Sequence, residues 1–307
     1  MRTRGDGRGE FNIISTGQAF VPRGSNFIRV ADQVKPTGEA TNTHSTFAPG
    51  LYDSAGAEAA LASMEKQGYN FVRVFITGTT TTSVSTASGI NTGYVTNLVD
   101  FLTRAKAHSV QVLISLDEWL PYAYDATLAK APNPLASGVN AFYLSNGGIQ
   151  AHAAFFSDFV GELRRQKAPM DTVLGYTLRN EQSFDSTQPP LTLTAGTFSA
   201  PNGRVYDLSR SDQRSAVLQE GLNYFIDQVR SAILAKDAGA LVGIGFFAPQ
   251  APNPFRAGDT RFVTSAGAIS SSTADFIDLH PYPGDLSLQQ YAQNFGIPNT
   301  SPKSRGG

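Results

Sequence analysis

Two periods of apolar residues alternate along the chain. Short continuous runs occupy 71–76, 110–116, 173–178, 240–247 and 276–279, and runs of this length bounded by polar loops read as strands buried on both faces. Between them apolar residues return at helical spacing. Ala57, Ala60, Leu61 and Met64 predict a helix closed by Gly68, where a left-handed residue is wanted. Tyr94, Leu98, Phe101, Leu102 and Ala105 predict a second, and Leu218, Leu222, Phe225, Val229 and Ile233 a later one. Ile149, Ala153, Phe156, Val160 and Leu163, spaced four, three, four and three, make the clearest helix of all. Residues 17–29 predict a first strand broken by Pro22 and Gly24, and 191–206 a hairpin turning at Pro201-Asn202-Gly203. A helix-like segment follows at 286–295.

Strands alternating with helices in this way argue for parallel βα units. No linker divides them, so 17–307 reads as one domain after a disordered N-terminal extension, 1–16. Loop lengths add a second message. Helix-to-strand connections are short, at 68–70, 108–109 and 237–239, whereas strand-to-helix connections are long, at 77–91, 120–148, 182–210 and 248–274. The elaboration therefore sits at the carboxyl ends of the strands, where barrel enzymes build their sites. A structural protein has no reason for that asymmetry.

Composition narrows the partners. In 307 residues, 24 Lys and Arg against 25 Asp and Glu leave a net charge of -1, so no field favours nucleic acid or an anionic membrane surface. No run approaches the roughly 18 apolar residues of a membrane span. The absence of Cys removes disulfides, thiolate nucleophiles and Cys-bound metals together. His44, His108, His152 and His280 lack paired ligand spacing, which weakens a metal site, and no cofactor is expected. The Arg- and Gly-rich start shows no signal peptide, and the compartment and oligomeric state stay open.

The candidate chemistry gathers at strand tips. The run from Val173 ends abruptly in Asn180-Glu181; Glu181 is either a strand-end catalytic carboxylate or the first solvated loop residue. Successive strand residues face opposite sides, so both reach one site only if the backbone there is bulged or twisted. Arg73 shares a face with Phe71 and Phe75, and if it points inward it demands a carboxylate partner; the alternative is a surface Arg on an edge strand. His280 and Tyr282 share a face, and a His satisfied in the core is the plain alternative. Trp119, the single Trp, either packs in the core or presents its ring at the rim past the third strand.

Four pieces in order, Phe20-Val-Pro-Arg-Gly-Ser-Asn26, Asn70-Phe-Val-Arg-Val74, the stretch 175–181, and Asp278-Leu-His-Pro-Tyr282, resemble the glycoside hydrolases of the cellulase and mannanase superfamily, family five in particular. The resemblance implies a (β/α)8 TIM barrel and hydrolysis of O-glycosidic bonds in a β-linked glucan- or mannan-type saccharide by a retaining mechanism. It implies that Glu181 is the acid/base, that Asn180 holds the neighbouring sugar hydroxyl, that Arg73 lies near the nucleophile, and that His280 and Tyr282 flank the sugar. An extracellular full-length enzyme goes with it. Two departures stand out. Asp117-Glu118-Trp119 occupies the place of a His at the third strand's end, and no Gly-Glu-Phe-Gly-like stretch supplies a nucleophile. At about 30 residues per βα unit, the chain holds about six units, so strands 7 and 8 are expected to be missing and the chain as written to be truncated and inactive. Glu118 or Asp117 as a substitute nucleophile, and a non-catalytic carbohydrate-binding remnant, remain the alternatives. A phosphate-binding barrel isomerase lacks its Gly-rich loop.

Overall fold

The computed structural model describes residues 2–3, 9–13, 15–35, 37–78, 80–117, 120, 122–247, 258–281 and 287–297. Of the residues singled out above, Glu118, Trp119 and Tyr282 lie outside the described residues. Two compact units make up the chain: 1–125 with 154–178 and 232–243, and 126–153 with 179–231 and 244–307.

Six strands form the main sheet: β1 (Gly24–Phe27), β2 (Phe71–Ile76), β3 (Gln111–Leu116), β4 (Val173–Thr177), β5 (Val242–Phe247) and β6 (Phe276–His280). Their order, β6-β5-β4-β3-β2-β1, follows the sequence, as repeated βα units require. Pairing from β1 to β5 is parallel, with Gly24 opposite Phe71, Gln111 opposite Phe71, and Tyr176 opposite Val242. Where β1 meets β2, a Cβ on Gly24 would fall 1.6 Å from the Phe71 carbonyl oxygen, so this close pairing admits only glycine. The fold is that of an incomplete (β/α) barrel, with six strands of the barrel sheet among the described residues.

In the first unit, helix α1 (Ser54–Lys66) starts where the Asp53 carboxylate accepts from Gly56 N at 2.9 Å, and helix α2 (Thr92–Ala107) starts at the Asn91 cap. The α2 face of Tyr94, Val95, Leu98, Phe101, Leu102 and Ala105 is wholly buried, each large side chain contributing roughly 1.5–3 kcal/mol. Beyond Phe71, every residue of β2 is buried. That includes Arg73, which sits on an interior strand and is 8% exposed. In the second unit, helix α4 (Ser211–Leu234) buries Leu218, Leu222, Phe225, Ile226 and Val229, with the Phe225 ring edge-on to Tyr143 and His152. Helix α3 (Asn146–Arg165) carries the stripe read from the sequence.

The sequence pattern left several ribbons unannounced. Residues 30–34 and 40–44 form an antiparallel hairpin; its polar composition and exposed Val30 and Val34 hide the period. Gly9–Asn12 pairs with Ala19–Phe20, within a stretch whose first part was expected to be an unordered extension. The hairpin that the sequence does announce over 191–206 forms between Thr197–Ser199 and Val205–Asp207, around the anticipated turn. A two-residue ribbon joins Phe184–Asp185 to Arg261–Phe262.

Candidate active site

Regular β4 geometry ends at Thr177, and the chain bends at Leu178, Asn180 and Glu181. Gly245 of β5 records how the ladder breaks. Its N–H donates to the Arg179 carbonyl at 2.9 Å and its carbonyl accepts from Gln182 N at 2.7 Å. A residue in a regular parallel ladder bridges partners two apart; here they are three apart, and between the pairings of Thr177 with Gly243 and of Gln182 with Phe246 the chain advances five residues against three, so two residues are inserted over 178–181. This bulge is the irregularity the sequence calls for. A Cβ on Gly245 would lie 2.0 Å from the Asn180 carbonyl oxygen. Glycine is therefore required opposite the bulge.

Within the second unit, Glu181 is held on both oxygens. His280 Nδ1 lies 3.1 Å from Oε1, and Arg261 Nη1 lies 3.5 Å from Oε2. The other imidazole nitrogen, Nε2, is 3.3 Å from Asp278 Oδ2. Asp278 thus brings a second carboxylate within ion-pair distance of the ring, at the nitrogen away from Glu181. Arg261 is itself pinned: Nε donates to Asp259 Oδ1 and Oδ2 at 2.9 and 3.0 Å, and the guanidinium lies 3.4 Å from the centre of the Phe247 ring. Side-chain exposures of 14% for Glu181 and 16% for Arg261 make this a shielded pair.

Sequence reasoning singled out Glu181, Asn180 and His280, which fall in one unit. It missed Arg261 and Asp259, which sit in a long loop with no period to mark them, and it quoted Asp278 without giving it a role. The two-residue alternation Asp278, His280 was the available signal. Arg73 belongs to the first unit, where its Nη2 donates to Ser115 Oγ at 3.0 Å and its guanidinium covers the Phe75 ring. There too Asp117 Oδ2 meets His44 Nδ1 at 2.7 Å, with the His44 ring against Phe75. His44 was read from the sequence only as a residue without ligand spacing. Among the described residues no group of three or more His, Asp and Glu side chains is arranged to hold a metal ion, and no helix is long and apolar enough to cross a membrane.

No family model matches the sequence, and no curated protein matches it. Solved structures do match the fold. The exo-β-1,4-mannosidase Op5Man5 from Opitutaceae bacterium strain TAV5 superposes with a TM-score of 0.53 at 17% identity, over 91% of this chain and 41% of that one. The endo-1,4-β-mannanase from Rhizomucor miehei gives 0.55 at 13% identity, over 92% of this chain and 71% of that one. This chain thus spans less than half the length of the first. At such identities the likeness is one of fold: this chain shares its (β/α) barrel architecture with both enzymes.

Proposed function

We propose that this chain serves the hydrolysis of O-glycosidic bonds in a β-linked glucan- or mannan-type saccharide, with Glu181 as the general acid/base of a retaining reaction. The observation that carries the reading is Glu181 itself, a shielded carboxyl on a bulge past the end of β4, gripped by an imidazole from β6. As the glycosidic C–O bond breaks, its electron pair goes to the leaving oxygen, which takes the proton of Glu181. The carboxylate left behind then removes a proton from the water whose oxygen displaces, at the anomeric carbon, the second carboxylate that had bonded there as the leaving oxygen departed. His280 steadies the carboxyl through both steps, and Asn180 presents its amide to the sugar. Arg73, Trp119 and Tyr282 are offered as sugar-binding residues on the sequence resemblance alone. Retention takes a second carboxylate roughly 5 to 5.5 Å from the first, and none is assigned here. The mannan-type substrate draws support from the two mannan-active structures of like fold.

The deciding experiment offers mannohexaose and cellohexaose to the 307-residue chain and reads binding by calorimetry and cleavage by product chromatography. The expected result is saturable binding of at least one, with any cleavage reduced about 10²–10⁴-fold by Glu181→Gln. A chain that binds neither, nor any other β-linked saccharide, overturns the reading.

A further inference from the structure

An acid/base carboxyl must hold a proton at one step and release it at the next, so any fixed charge beside it tunes the reaction. Facing Glu181 are His280 of β6, with Asp278 at its far nitrogen, and Arg261, with Asp259 behind it. The guanidinium is always charged. Alone at 3.5 Å from Oε2 it would favour the ionised carboxylate and oppose proton donation. It is not alone. Asp259 engages Nε and Nη2 together, and Phe247 covers one face of the guanidinium.

The backbone makes this arrangement rigid. Arg261 pairs with Asp185 across the antiparallel ribbon, and Ser186 N and Oγ both donate to the Thr260 carbonyl at 2.9 and 2.8 Å. Glu181 and Asp185 belong to the same loop, so the ribbon ties the cation to the carboxyl's own segment. The side chain of Asn140, itself fully buried, locks that segment from a second direction, accepting from Asp185 N at 2.8 Å and donating to the Asp185 carbonyl at 3.0 Å.

We infer that Arg261 is a positioning residue for Glu181, which orients Oε2 and sets the carboxyl's proton affinity, and that Asp259 attenuates its charge so that Glu181 retains a proton at working pH. This rests on the acid/base reading of Glu181. Two variants pull in opposite directions. Asp259→Asn frees the full charge of Arg261 and lowers the Glu181 midpoint; Arg261→Gln removes the cation and raises it. Arg261→Lys keeps a cation and falls nearer the parent than Arg261→Gln.

The test is a ¹³C NMR titration of the carboxyl carbons of glutamate-labelled full-length chain, with the Glu181 signal assigned by its loss in Glu181→Gln. The expected result is opposite displacements of about one pH unit each for Asp259→Asn and Arg261→Gln. Midpoints that stay put in both, or move the same way, overturn the inference. Saccharide hydrolysis is measured in parallel. Hydrolysis that depends on Glu181 beside unmoved midpoints refutes the role of Arg261 and leaves the function standing. The expected displacements in a chain that binds no saccharide refute the function and leave the electrostatic coupling established.

Discussion

Two histidine–carboxylate pairs lie beyond strand ends, one in each unit, and they are built differently. Asp117 stands one residue past β3 and is still in the ladder, its N–H donating to the Ile76 carbonyl at 2.8 Å. His44 reaches it from an antiparallel hairpin at 2.7 Å. Glu181 stands four residues past β4, within a two-residue insertion, and His280 reaches it from the sheet itself at 3.1 Å. The first pair extends a regular strand; the second exists because the strand is broken. A continuing strand fixes a carboxylate in one alternation, whereas a bulge re-aims it. The opposed cation Arg261 then gives Glu181 a contested proton.

Replacing the two carboxyls is the strongest way to break this comparison. Glu181→Gln is expected to lower any saccharide cleavage by about 10²–10⁴-fold, while Asp117→Asn stays within about tenfold of the parent. Equal losses would place the chemistry at both pairs.

A third imidazole sharpens the contrast because, among the described residues, no carboxylate answers its ring: His152 Nδ1 donates to the Gly148 carbonyl at 2.8 Å. Burial, opposed by that hydrogen bond and reinforced by Arg179, pushes its pKa down to about 4 from 6.5. The folded value is the lower one, so the unfolded chain takes up the proton first. Stability is full above pH 6.5 and falls between pH 6.5 and 4, by up to about 3 kcal/mol. Urea unfolding at pH 7 and 4.5 should show a larger loss for the parent than for His152→Gln.

The bulge itself can be attacked through Gly245. Gly245→Ala is expected to destabilise by about 1–3 kcal/mol, since its Cβ would meet the Asn180 carbonyl. Gly161→Ala, inside α3 with nothing within 4 Å of the new Cβ, should stabilise by about 0.5–1 kcal/mol. Thermal midpoints that fall equally for both would deny Gly245 its special place.

The smallest effect belongs to His108, whose ring nitrogens lie 2.7 Å from Glu65 and 2.9 Å from Glu58. Hydrogen bonds first to Glu65 and then to Glu58 raise its pKa. The folded value is now the higher one. Its stabilising contribution is complete below the unfolded value and is lost as pH rises through the folded value. The margin of the parent over His108→Gln in chemical denaturation should therefore shrink with rising pH, opposite in sense to His152.

The sequence by itself determined the strands and helices of the main sheet, because their apolar positions obey one period at a time. Phe71–Ile76 is apolar except for Arg73, and the four-three spacing of α3 admits only a helix. It also determined that Asn180-Glu181 ends a strand, and that both residues could serve one site only through a bulge. Tertiary structure alone decided where the bulge finds its partner and what faces the carboxyl. Gly245, Asp259, Arg261 and Asp278 lie between 64 and 97 residues further along the chain than Glu181, in stretches whose spacing carries no trace of that encounter. Local periodicity reports which face of an element is buried. Which charges meet across a loop depends on strand order, on a two-residue ribbon and on one missing Cβ, and these are properties of the assembled backbone.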